Sequence, residues 1–240
     1  SGANTYNGVT QINSGGTLKL GASNAIADAS DMYILGTFDL NGYSDSVDEI
    51  YGSGLITNSS VSSSSTLTVG ANNGTNTYTG TITDASGVYP LSLVKTGTGT
   101  ITLSGTDTYR GQTTINSGGA LRITNASALG DISAGTTVNS GGSLVLAGAA
   151  AGTTFDAEPL TINGNGVNSG SYLGALVSDY QSIYVSNSNT YTGLITLGSD
   201  AKVYAAYNYY SDGSGTHIFY SPLTINPASG NAFEGVYVLT

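Results

Sequence analysis

The chain has 240 residues, of which 39% are apolar and only 8% charged, and fifteen acidic side chains against five basic ones give a formal charge of −10. That balance repels phosphate backbones, which demand clustered Lys and Arg, so nucleic acid is excluded as a partner; the absence of cysteine excludes disulfides and thiolate metal sites. No stretch approaches the ~18 apolar residues of a membrane helix, so this segment inserts in no membrane by a helix, and neither a basic start nor an apolar signal segment opens it, so it reads as a mature or excised piece.

In chain order, the same short phrases return. TYxG stands at Thr5 to Gly8, Thr77 to Gly80, Thr108 to Gly111 and Thr190 to Gly193. Ile or Val followed by Asn stands at Ile12-Asn13, Ile115-Asn116, Val138-Asn139, Ile162-Asn163 and Ile225-Asn226, and the first three continue into SGG and an alternating apolar pair. Between these phrases run Thr17 to Leu20, Thr66 to Val69, Thr100 to Leu103, Leu121 to Ile123, Leu144 to Leu146 and Leu223 to Ile225. Each alternates apolar with Thr, Lys or Arg, the pattern of a short strand with one buried face. Helical spacing is absent, and the Ala-rich piece from Leu146 to Gly152 is flanked by glycines that favour a loop.

The Asn phrase measures a period, since Ile115, Val138 and Ile162 follow one another at nearly equal intervals. Strands repeating at that interval predict a solenoid of β-strands with coils of about 23 residues, stacked at ~4.8 Å into roughly ten coils and a rod of about 50 Å. An up-and-down sandwich is the competing all-β architecture. Asn13, Asn116, Asn139, Asn163 and Asn226 are either a stacked amide ladder or common turn residues, since Asn tolerates the left-handed conformation and its amide can bond one coil away. The recurrent Tyr is either a stacked column or a cover for each strand end.

With these residues in view, Lys95 to Gly130, KTGTGTITLSGTDTYRGQTTINSGGALRITNASALG, closely resembles the passenger-associated transport repeat of bacterial autotransporters and related surface proteins. Ser1 to Gly21 resembles the second half of the same repeat, and Thr136 to Leu146 and Asn189 to Gly198 resemble degenerate pieces. The resemblance implies a secreted, right-handed parallel β-helix displayed outside a bacterial cell, with residues 1–240 as one β-helical repeat domain. The stretch carries neither the signal peptide nor the membrane barrel of a complete autotransporter. Its final GVYVLT reads like Gly99 to Ser104, and the opening SGANTYNG like the continuation that follows there. Copies laid end to end would place Ile12 of the second close to one coil beyond Ile225 of the first. Self-stacking, head to tail, is therefore expected, because a heterologous contact that does not close makes filaments.

Catalytic patterns are missing. His217 has no second histidine or cysteine with which to hold a metal, and no GxSxG elbow is present. The acidic groups Asp28 with Asp31, Asp45 with Asp48 and Glu49, and Asp156 with Glu158 read as solvated turns, with acid–base pairs or calcium ligands as the alternative. No GGxGxD calcium repeat occurs, and the expectation is no enzyme, no cofactor and no metal. Tyr204, Tyr207, Tyr209, Tyr210, Phe219 and Tyr220 form an aromatic hairpin over 203–221, with Asp212-Gly213 at its turn. Its rings either stack on sugars or a second subunit, or widen and cap the core. The reading is an extracellular structural or adhesive module of a stalk, filament or matrix, the alternative a glycan-binding or glycan-cleaving β-helix.

Overall fold

Threonine and β-branched alternation gives strands of only two to seven residues, because each run ends at a glycine or Asn turn that redirects the chain. The computed structural model describes residues 4–85, 88–148, 152–167, 174–179, 189–205, 207–212, 215–220, 223–225 and 233–234, and from residue 206 onward the backbone alone. Coil 1 holds β1 (Thr10–Ile12) and β2 (Thr17–Lys19). Coil 2 holds β3 (Met32–Ile34), β4 (Thr37–Asp39) and β5 (Asp45–Val47); coil 3 holds β6 (Ile50–Gly52), β7 (Leu55–Asn58) and β8 (Ser65–Val69). Coil 4 holds β9 (Asn76–Tyr78), β10 (Thr81–Asp84) and β11 (Leu91–Lys95). Coils 5 and 6 hold two each, β12 (Thr100–Leu103) with β13 (Thr113–Ile115), and β14 (Ala120–Ile123) with β15 (Thr136–Val138). Coil 7 holds β16 (Ser143–Leu146), β17 (Thr154–Phe155) and β18 (Leu160–Gly164); coil 8 holds β19 (Leu176–Ser178), β20 (Asn189–Tyr191) and β21 (Ile195–Ala201). The last holds β22 (Val203–Ala205), β23 (Tyr207–Asp212), β24 (Gly215–Tyr220), β25 (Leu223–Ile225) and β26 (Phe233–Glu234).

The strands stack into three faces. The first is a nine-stranded sheet, β1-β3-β6-β9-β12-β14-β16-β19-β22. The third is eight-stranded, β5-β8-β11-β13-β15-β18-β21-β26. The second face is interrupted: β2-β4-β7-β10 form one sheet and β17-β20-β25 another, and coils 5 and 6 contribute no strand between them. Among the described residues all pairings are parallel except β23 with β24, so the architecture is a parallel β-solenoid rather than a sandwich.

Along the first face, Ile12, Ile34, Gly52, Tyr78, Leu103, Ile123, Leu146, Ser178 and Ala205 occupy one register column. The shortest step in it, Ile34 to Gly52, covers little more than half the chain of the longest, Leu146 to Ser178. From Ile12 to Ala205 this makes about eight turns with a mean step close to the expected period, and single steps differ because the loops at the corners differ in length. Columns Leu18, Phe38, Ile56, Ile82 and Val47, Val69, Lys95, Ile115, Val138, Ile162 line the other two faces and meet the first in one core. Each fully buried Leu or Ile contributes about 1.5–3 kcal/mol, and the columns set one above the next along the rod.

Lys95 is the exception in its column. It is fully buried, burial lowers its pKa to about 8, and its Nζ donates to the carbonyls of Thr96 and Gly97. In the hairpin, Tyr207 pairs with Tyr220 and Asp212 with Gly215. Asp212 thus stands on the ladder, while Gly213, the other residue of the expected turn, lies outside the described residues.

Candidate interaction surfaces

The corners explain the phrases. In the Asn-Ser-Gly-Gly turns, Gly16, Gly119 and Gly142 donate to the carbonyls of Asn13, Asn116 and Asn139 at 2.9, 3.1 and 2.8 Å. The preceding glycines Gly15, Gly118 and Gly141 share φ values of 78°, 82° and 85°, a left-handed region that glycine enters without strain. One turn is thus built at two places: Asn13 joins the first face to the second, whereas Asn116 and Asn139 join the third to the first. The sequence repeat rotates around the solenoid, since each corner of a three-sided coil offers the same strand–turn–strand environment.

The four described asparagines therefore form no single column. Asn139 Nδ2 donates to Asn116 Oδ1 at 2.9 Å, and Asn163, at the same corner, donates to the Val138 carbonyl at 2.9 Å. Asn13 is exposed at a different corner and accepts from Gln11 at 2.5 Å. Asn226 lies outside the described residues. Asparagines outside the phrase also bridge coils, among them Asn73, whose Oδ1 accepts from the Thr98 backbone at 2.8 Å, and Asn58, which bonds Gly42, Ser63 and Tyr89. Neither follows Ile or Val, so the phrase does not flag them.

TYxG is a corner clasp. Tyr78 and Tyr191 donate to the carbonyls of Gly54 and Glu158, one coil earlier, at 2.7 and 2.6 Å. Tyr6 and Tyr109 instead share a 2.6 Å hydrogen bond with the threonine four residues on, Thr10 and Thr113. Where the fourth residue on is Ile82 or Ile195, no hydroxyl is available and the phenol reaches the lower coil.

Outside, the third face presents Ser46, Thr68, Val94, Thr114, Thr137, Thr161 and Thr196 in register, a flat stripe rich in hydroxyls. On the first face, Tyr33 and Tyr51 stack with ring centroids 4.9 Å apart. Beside them Asp31, Asp48 and Glu49 bring carboxylate oxygens within 4.8 Å of one another, and burial, then Glu49 and Asp48, raise the pKa of Asp31. The expected acid groupings are reshuffled: Asp45 instead caps the N–H groups of Ala25 and Ile26, and Asp156 is exposed while Glu158 is buried. Tyr204 is half-buried, with Lys202 Nζ 5.7 Å from its ring centre. The side chains of Tyr207, Tyr209, Tyr210, Phe219, Tyr220 and His217 lie outside the described residues, and only their strands are placed.

Residues 1–24 and 93–123, which hold the two intact TYxG–strand–NSGG phrases, match the passenger-associated-transport-repeat family. Over those two stretches the chain is similar to the passenger repeat. A stretch of 121 residues, 48% of the chain, is 35% identical to the adhesin BmaC autotransporter of Brucella suis biovar 1 (strain 1330). It spans 3% of that protein's length. No solved structure matches the chain. In the first copy of the passenger repeat the phrase runs from the first face to the second; in the second it runs from the third to the first. Family likeness here is likeness of a corner and its two strands, independent of which faces they join.

Proposed function

We propose that the chain is a module of an extracellular bacterial adhesin, a stiff parallel solenoid that acts through its long faces and stacks head to tail in a stalk or filament. The passenger repeat and the similarity to an autotransporter adhesin support placement outside the cell. The observation that carries the mechanical role is the unbroken nine-strand register of the first face, which ties distant parts of the chain by backbone hydrogen bonds along the rod. Beads coated with the chain should adhere to a glycan or host-surface array in a manner lost on proteolysis; uncoated and coated beads behaving alike would end the adhesive reading.

Two glycines favour stacking. At the corner between the first and second faces, side chains on Gly36, Gly54, Gly80 and Gly105 would begin 2.2, 2.2, 2.1 and 1.8 Å from the carbonyl of the glycine one coil earlier. Gly16 heads that column and meets only its own Asn13 carbonyl, at 3.0 Å, and the Ile12 side chain, while Gly8, the glycine of the first TYxG, has nothing within 4 Å. Both have the form needed to receive a carbonyl from a coil laid against coil 1. Sedimentation of concentrated chain should show end-to-end oligomers that Gly8→Val abolishes while the melting temperature holds; a monomer at all concentrations would overturn the stacking part alone.

A glycan-binding reading draws on the Tyr33–Tyr51 stack beside Asp31 and Glu49, since rings and carboxylates together suit sugar recognition. Tyr33→Ala with Tyr51→Ala should then remove binding to glycan-coated beads; Tyr207→Ser with Tyr210→Ser tests the hairpin in the same assay.

A further inference from the structure

Asparagine followed by glycine occurs five times, at Asn7-Gly8, Asn41-Gly42, Asn73-Gly74, Asn163-Gly164 and Asn165-Gly166. Glycine has no side chain to shield its backbone nitrogen, so in this dipeptide that nitrogen most easily reaches the preceding side-chain amide. In three of the five, hydrogen bonds hold both groups, one to each neighbouring coil. Asn41 Nδ2 donates to the Leu20 carbonyl at 3.0 Å, and the Gly42 nitrogen donates to Asn58 Oδ1 at 2.8 Å. Asn73 Oδ1 accepts from the Thr98 nitrogen at 2.8 Å, and the Gly74 nitrogen donates to Asp48 Oδ1 at 2.7 Å. Asn163 Nδ2 donates to the Val138 carbonyl at 2.9 Å, and the Gly164 nitrogen donates to Ser199 Oγ at 3.0 Å. Asn165 is exposed, but a side chain on Gly166 would begin 2.0 Å from the Gly174 backbone, so that glycine has no room to swing. Asn7 differs from the other four. It is exposed, a side chain on Gly8 would meet nothing within 4 Å, and neither residue makes a hydrogen bond among the described residues, where coil 1 has a neighbouring coil on one side only.

We propose that Asn7 is a site of spontaneous covalent modification, converted through a succinimide to isoaspartate and aspartate. The Gly8 backbone nitrogen forms a bond to Asn7 Cγ while the Cγ–Nδ2 bond breaks, and Nδ2 leaves as ammonia with the proton of the Gly8 N–H. Water then opens the ring. Addition at Cγ gives aspartate, and addition at the Asn7 backbone carbonyl carbon gives isoaspartate, whose main chain runs through Cβ. Water is the sole co-reactant, and either product places a new carboxylate on the end coil. Asn41, Asn73 and Asn163 react only from states in which both bonds to the neighbouring coils are open, which slows them at least about tenfold relative to Asn7.

Dilute chain incubated at pH 8, digested at intervals and read by mass spectrometry tests the site, since exchange of amide for acid changes the mass and electron-transfer fragmentation separates isoaspartate from aspartate. In the folded chain Asn7 should convert at least about tenfold faster than Asn41, Asn73 and Asn163, and in denaturant the rates should converge. Gly8→Ala, whose new methyl group meets open space in the fold, should slow Asn7 by crowding the attacking nitrogen. Four results overturn the proposal: Asn7 stays an amide while the denatured chain converts, it converts no faster than the three held asparagines, its advantage persists in denaturant, or its rate is undiminished in Gly8→Ala.

Discussion

The hydroxyl of Tyr191 donates to the carbonyl of Glu158 at 2.6 Å, and a side chain on Gly193 would begin 1.9 Å from that same oxygen. One carbonyl of the lower coil thus receives both the clasp and the close approach of the glycine, and Tyr78, Gly80 and the Gly54 carbonyl repeat the arrangement. Backbone cannot move aside as a flexible side chain can. Gly193→Ala and Gly80→Ala should each destabilise by about 1–3 kcal/mol or more through overpacking, whereas Gly8→Ala, with open space around it, should leave the melting temperature unchanged. Thermal unfolding of the three variants checks this.

The Asn116–Asn139 bond gives a second expectation. Asn139→Ala removes one side-chain hydrogen bond at a half-buried corner and should cost about 1 kcal/mol, while Asn13→Ala, exposed and at another corner, should cost less. Denaturant midpoints of the two variants separate them.

Stability should fall as pH rises from about 4 to about 8. Burial raises Asp107 from 3.8 to about 7 and Glu158 from 4.5 to about 8, so across that window the folded chain holds protons that the unfolded chain has released. Their contribution is complete below the unfolded values and lost as pH passes the folded ones. Asp31 and Asp45, also raised mainly by burial, act in the same direction. Asp39 is lowered, in spite of burial, by hydrogen bonds from Ser59, Lys19 and Asn41, and so opposes them at the acid end. Melting temperatures from pH 4 to 8 should decline, and Asp107→Asn should flatten part of the decline.

Lys95 tests what a buried charge contributes. Its pKa lies below that of the unfolded chain, so between about 8 and 10.5 the folded state binds fewer protons and stability rises with pH. Lys95→Met fills the same space without a charge and should be near neutral or stabilising, and the alkaline rise should vanish. Both variants leave the carbonyls of Thr96 and Gly97 without their donor, and Lys95→Ala should destabilise relative to Lys95→Met because it alone leaves a cavity.

Much of the fold was legible because its logic is local. Alternation in Thr100–Leu103 and Leu144–Leu146, with glycine turns between, specifies strands with one buried side, and a regular recurrence of the Asn phrase specifies that they stack. That Asp107, Asp131 and Asp156 line one notch was not legible, since each follows the last by a whole coil and the wall opens only where successive coils omit a strand. Asp31 meets Asp48 and Glu49 across coils for the same reason, although each also has an acidic neighbour close by in sequence.

The sequence by itself determined the local geometry: short strands, left-handed glycine turns, a parallel stack and the repeat's family likeness. It did so because those features depend on neighbours close along the chain. Only the tertiary structure decided which face each phrase occupies, which asparagines meet, and where the wall is open. The coils differ nearly twofold in length, so identical phrases drift around the axis and contacts one coil apart have no fixed sequence separation.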